Sequence, residues 1–291
     1  MNPSHDLNPE ITLATEEIFL ATAAHPAPVG IHPAPEIPET DATARDMAYR
    51  QLYRYAEDMQ QLVRERAWAL AELQNARRET LYRLAIAAEY NAVDGQAAML
   101  RIGIHAALLA HTLGMPDDYC DLLCLAAPLR DIGQIGLSRG NFPDKGSVAG
   151  ETDPWEEHPI IGAAILGGSC SRELQMAEDV ALNHHERYDG KGYPAGRSGS
   201  HIPLSGRIVA VVERLDKLLA THPEADAIRS LRRGANQAYD PRVVEAAVQC
   251  VPLYPRVVNC VTHALTTGAG YTQDTLQVEL WRRCLEPAVP G

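Results

Sequence analysis

His184-His185-Glu186-Arg187-Tyr188-Asp189-Gly190-Lys191-Gly192-Tyr193-Pro194 joins two vicinal histidines, at the end of a helical pattern, to a glycine-rich turn. Glycine admits positive φ and Pro194 fixes the exit, so the plain structural reading of Lys191, Gly192, Tyr193 and Pro194 is a tight loop. The histidines ask for more. Imidazoles and carboxylates at helix ends can converge on divalent cations, which lower the pKa of water and neutralise charge on a phosphodiester. Further candidates lie outward along the chain: Asp131 in Leu129-Arg130-Asp131-Ile132-Gly133-Gln134, His158 in Glu157-His158-Pro159, and Glu213. Any one alone is more often a satisfied core or surface residue. Their joint order beside this loop points to a His/Asp metal-hydrolase site.

Around that string the pattern is helical. From Glu79 to about Leu219, apolar segments such as Met99–Leu113 and Asp118–Leu129 are separated by short Gly, Pro and Asp loops, with almost no two-residue alternation. This predicts an all-α domain. Asp240-Pro241 marks a later helix start, because proline suits the first helical turn. Upstream, Leu52, Ala56, Met59, Val63, Leu70, Leu73, Leu81 and Leu84 recur at three-four spacing, with Arg66 and Arg77 interrupting the stripe. Such a helix either dimerises or packs on its own domain. The expected organisation is a Pro-rich disordered tail over residues 1–40, a long amphipathic or coiled-coil helix over 41–78, a helical domain over 79–250 and a helical extension over 251–291, whose role the sequence leaves unread.

Composition narrows the classes. With Lys+Arg 26 against Asp+Glu 38 the net charge is -12, which argues against nucleic-acid binding. The acidic start lacks a signal peptide's basic and apolar regions, and no apolar run reaches the roughly 18 residues of a membrane span, so a cytoplasmic location is expected. The 6 cysteines form no CxxC pair. Cys120 and Cys124 read as small buried apolar residues one turn apart rather than as ligands.

The His184–Pro194 string resembles the HD-GYP family, the helical branch of the HD phosphohydrolases that hydrolyse the bacterial messenger cyclic di-GMP. The resemblance runs from about Glu79 through Glu89-Tyr90, Ala126-Ala127-Pro128-Leu129, Ile160-Ile161-Gly162 and Gly206-Arg207-Ile208 to Tyr239-Asp240-Pro241. It implies an HD-domain helical bundle behind a long helix, with metal ligands at Asp94, Asp131, His158, His184, His185 and Glu213. It also exposes departures. The family's HD histidine falls on Arg130, a second histidine ligand falls on Ala98, and the phosphate-contacting lysine falls on Gln134. An Arg-Pro-x-Lys run that grips substrate phosphates matches His222-Pro223-Glu224-Ala225, where both cations are absent.

The resemblance therefore implies one divalent metal, iron, manganese or similar, with the second half of the site broken. Arginine cannot become a ligand, but its guanidinium can neutralise Asp131, Glu213 or Asp94. At ~4 Å and an effective dielectric of ~20, one such contact is worth about 4 kcal/mol before desolvation. The expected protein has weak or no hydrolysis and acts by sensing cyclic di-GMP or by docking a GGDEF-type or other signalling partner through its Gly-Tyr-Pro loop. A homodimer through the long helix is expected as well. The competing readings are an active phosphodiesterase completed by Asp94, Glu213 and waters, and a hydrolase of another nucleotide. Family members often carry a receiver domain ahead of the long helix; residues 1–41 are too short and Pro-rich for one.

Overall fold

Helix α2 (Gly95–Thr112) is apolar nearly all round, Arg101 being its one Lys/Arg/Asp/Glu charge, and a helix without a polar face must lie inside a bundle. Met99, Leu100, Ile104, Leu108 and Leu109 are buried along it, each contributing about 2 kcal/mol by leaving water. The computed structural model describes residues 42–88, 95–137, 154–266 and 276–286. Asp94 and the tail over 1–40 lie outside the described residues. Packed on α2 are α3 (Asp117–Ala126), α6 (Leu204–Thr221), α8 (Pro241–Cys250), α9 (Tyr254–Thr266) and α10 (Leu276–Leu285). In a second layer α5 (Arg172–Asn183) leans on α3 and α6, α4 (His158–Leu166) packs on α5 and on the turn at Ile132–Gly136, and α7 (Glu224–Arg233) joins α6 to α8. No strand occurs among the described residues, as the missing alternation predicts.

One helix starts where the sequence suggests. The Asp240 carboxylate accepts the Arg242 N–H at 2.8 Å and caps α8, with Pro241 in its first turn. The long helix α1 (Ala42–Ala88) belongs to two contact units divided after Glu65. Within the second unit, Leu81 and Ala85 are buried in the core, while Leu70 and Leu73 are exposed. The C-terminal stretch, unread in the sequence, gains a role here. Trp281 on α10 is buried, its indole N–H donates to Asp121 at 3.1 Å, and Arg282 pairs with the same carboxylate, so α10 closes the core over α3. Cys120, Cys124, Cys250 and Cys284 are buried thiols, as small apolar residues would be. No helix among the described residues is long and apolar enough to cross a membrane.

Candidate metal centre

The site is assembled by helix ends that approach closely. After α3 the chain tightens into a 3-10 turn at Ala127–Leu129, passes Arg130 and Asp131, and enters another at Ile132–Gly136. Gly133 lets this turn touch the start of α4: a Cβ there would sit 1.9 Å from the His158 carbonyl oxygen. His158, first residue of α4, is thereby brought beside Asp131. His184 caps the C-terminus of α5 and His185 follows it. Ligand atoms of Asp131, His158, His184 and His185 all lie within 4.8 Å of one another. Their ring centroids are 5.3 Å (His158–His184), 5.0 Å (His158–His185) and 4.0 Å (His184–His185) apart.

The hydrogen bonds behind the rings set their tautomers. His158 Nδ1 donates to the Trp155 carbonyl at 2.6 Å, and His184 Nδ1 donates to the Ala181 carbonyl at 2.9 Å. A carbonyl only accepts, so in each neutral ring the proton is on Nδ1 and the lone pair is on Nε2. Those two Nε2 atoms face each other at 3.3 Å. Two lone pairs at that separation need a cation between them, a proton or a metal ion, and backbone-anchored imidazoles are the usual second-shell arrangement of metal ligands. The residues present therefore fit a divalent ion.

Asp131 has three neighbours, divided between its two oxygens. His158 Nε2 and His184 Nε2 approach its Oδ1 at 3.4 and 3.7 Å, whereas Arg130 Nε lies 3.0 Å from Oδ2. Burial alone would push the Asp131 carboxyl up, but the Arg130 guanidinium, then His184 and His158, hold it well below its ordinary value. Glu213 on α6 answers similarly: burial is outweighed by Arg130 and Lys217, so its carboxyl too is lowered. Lys217 also pairs directly with Glu213. Burial lowers His158, and it pushes His185 down to about 3, helped by the neighbouring His184.

The structure thus brings Asp131, His158, His184 and His185 together, with Arg130 buried beside them. Glu213 lies within electrostatic reach but outside the converging group, and Gln134 is half-buried. Ala98 is half-buried on α2, and His222 and Glu224 are exposed. In the Gly-Tyr-Pro loop Lys191 is exposed, while Tyr193 stacks on His185 at 4.8 Å and 26°. Gly192 permits this fold-back, since a Cβ there would meet the Arg187 nitrogen at 2.3 Å.

Three contributors lie outside the candidate residues that the sequence offers. Glu186, buried inside the loop, accepts the N–H groups of Ala195 and Arg197 at 2.8 and 2.9 Å and ties its two sides together. Trp155 supplies the carbonyl that orients His158. Arg101 donates to Asp216 at 2.8 and 3.1 Å, locking α2 to α6 one turn from Ala98 and Glu213. A charge inside an apolar stretch must find a partner, and Arg101 within Met99–Leu113 was the available hint.

A family model described as HD domain matches residues 79–243. Among curated relatives, the cyclic di-GMP phosphodiesterase response regulator RpfG of Xanthomonas campestris is 37% identical over 188 residues, 62% of this chain and 50% of that one. A cyclic di-GMP phosphodiesterase of Thermotoga maritima is 34% identical over 58% of this chain and 48% of its own length. The 3'3'-cGAMP-specific phosphodiesterase 2 of Vibrio cholerae is 30% identical over 62% of this chain and 36% of its own. The chain spans about half the length of the first two. A crystal structure of a cyclic GMP-AMP specific phosphodiesterase of Vibrio cholerae superposes with TM-score 0.52 at 17% identity, covering 72% of this chain and 57% of that one, and shares the fold.

Proposed function

Since the chain belongs to the HD domain family, we propose that it is a divergent HD-GYP-type protein of cyclic di-GMP signalling whose metal site has been reduced to a single ion. Asp131, His158, His184 and His185 are the residues that would hold it. When bound, such an ion supplies Lewis-acid neutralisation of phosphate charge. The observation carrying this reading is the contact of Arg130 Nε with Asp131 Oδ2 at 3.0 Å, opposite the imidazoles that converge on Oδ1. An aspartate that bridges two ions with one oxygen on each uses both; here a guanidinium engages one of them, and it also lowers Glu213.

Hydrolysis of a phosphodiester by a metal pair depends on a clamp around the attacking and leaving oxygens, and one ion beside a fixed guanidinium cannot form it. The cations expected to grip the substrate are also missing, since Gln134, His222 and Ala225 stand at their positions. The protein accordingly acts by binding cyclic di-GMP or by docking a signalling partner, a GGDEF-type protein among them, through Lys191–Pro194, and works as a homodimer joined along α1. The converging His/Asp group favours a second reading, a working phosphodiesterase completed by Glu213 and Asp94.

Turnover separates the two. With cyclic di-GMP and saturating Mn²⁺ or Fe²⁺, the expected rate is at least a hundredfold below that of an intact phosphodiesterase, on the scale by which losing a group that stabilises the transition state slows a reaction. Calorimetry then registers binding without hydrolysis if the site senses the nucleotide. A rate matching an intact enzyme selects the second reading.

A further inference from the structure

Helix α1 carries a seam whose residues match each other only when two copies run in opposite directions. Tyr49, Leu52, Met59, Val63, Leu70 and Leu73 are between 51% and 68% exposed, and with Ala56 and Arg66 they fall on alternating three and four spacings, the a and d places of a heptad. The charges confirm the register. Between Tyr49 and Leu73 the charged residues are Arg50, Arg54, Glu57, Asp58, Arg64, Glu65, Arg66 and Glu72, and all but Arg66 fall on the outward b, c and f places. The flanking e and g places hold Tyr53, Tyr55, Gln60, Leu62, Ala67 and Ala69, with no charge to set an orientation by attraction. The seam ends beyond Leu73, because Arg77 turns to Ser171 at 2.7 Å and to Glu173 of its own domain.

A parallel, in-register pair sets Arg66 against Arg66 in one layer and Ala56 against Ala56 in another, so like charges meet and a small pair leaves a gap. Reversing one copy about Gln61 changes every layer at once. Tyr49 then faces Leu73, Leu52 faces Leu70, Met59 faces Val63, and Arg66 faces Ala56. The small alanine leaves room for the arginine stem, whose guanidinium finds the acids Glu57 and Asp58 next in the chain. The flanks follow the same rule: Tyr53 opposes Ala67 and Tyr55 opposes Ala69, each large side chain meeting a small one, while Gln60 and Leu62 each meet their own copy at the centre. We propose that α1 pairs with a second copy of this chain as an antiparallel coiled coil centred on Gln61. This rests on the homodimer proposed above.

The test measures mass and distance on the full chain. Light scattering is expected to give two chains per particle. Nitroxides carried on p-acetylphenylalanine, which leaves the native cysteines unlabelled, are placed singly at the outward positions Arg54, Gln61 and Trp68. In the antiparallel pair the labels at 54, like those at 68, are separated by about 21 Å along the axis, and those at 61 by none, from the 1.5 Å helical rise. Dipolar spectroscopy should therefore read its shortest distance at 61 and equal, longer ones at 54 and 68. Two chains with one common distance at all three positions overturn the orientation and leave the dimer standing. A particle of one chain, or of more than two, overturns both.

Discussion

Asp131 and its neighbours form a site in which the side chains are oriented by contacts that do not involve a substrate. His158 and His184 spend their Nδ1 protons on backbone carbonyls, and Arg130 steadies Asp131. His185, at about 3, and His105, at about 4 and buried against Tyr254, both fold as neutral rings because burial opposes their charge. For such groups the unfolded chain binds the extra proton first, so stability is complete above the unfolded value of about 6.5 and is lost as pH falls below it. Each contributes a loss of about 1.4 kcal/mol at pH ~5.5, from one pH unit below the unfolded value. Asp131, lowered in the fold, adds its own loss only below its unfolded value of about 4. In chelator-treated protein, urea unfolding at pH 7.5 and 5.5 should differ by about 3 kcal/mol; equal stability at the two pH values contradicts the neutral assignments.

At the scale of elements, the site depends on how closely the 3-10 turn after α3 approaches α4. Gly133 is the contact, and Gly133→Ala drives a methyl into the His158 carbonyl. The expected result is a loss of about 2 kcal/mol or more in thermal or urea unfolding, typical of overpacking, together with weaker uptake of Mn²⁺ because His158 is displaced from Asp131. Unchanged metal affinity would show that α4 does not position its histidine through this contact. The vicinal histidines and the helix starts were legible because their signals are local, such as a proline in a first turn or an acid beside Pro241, and Asp131 and His158 joined them through their order in the chain and the family resemblance. The Arg101–Asp216 lock and the Glu186 ties were not. Arg101 and Asp216 are 115 positions apart, and nothing in the spacing of either says which charge will meet it. The Trp281–Asp121 contact that gives α10 its place spans 160 positions and was hidden for the same reason.

For the molecule as a whole, a net charge of -12 opposes the approach of a dianionic nucleotide, and on the proposed reading an ion held by Asp131 and the histidines would offset it. Whether that ion has a neighbour is what separates a sensor or scaffold from an enzyme. Two residues that the resemblance sets at ligand positions speak to it: Arg130 is in contact with Asp131, while Ala98 offers no ligand atom at all. The most direct measurement is the number of metal ions per chain, by elemental analysis of protein freshly purified from manganese- or iron-supplemented growth, beside the double variant Ala98→His/Arg130→His. One ion per chain in the natural protein, rising toward two in the double variant, is the result this account predicts. Two ions already present in the natural chain contradict it.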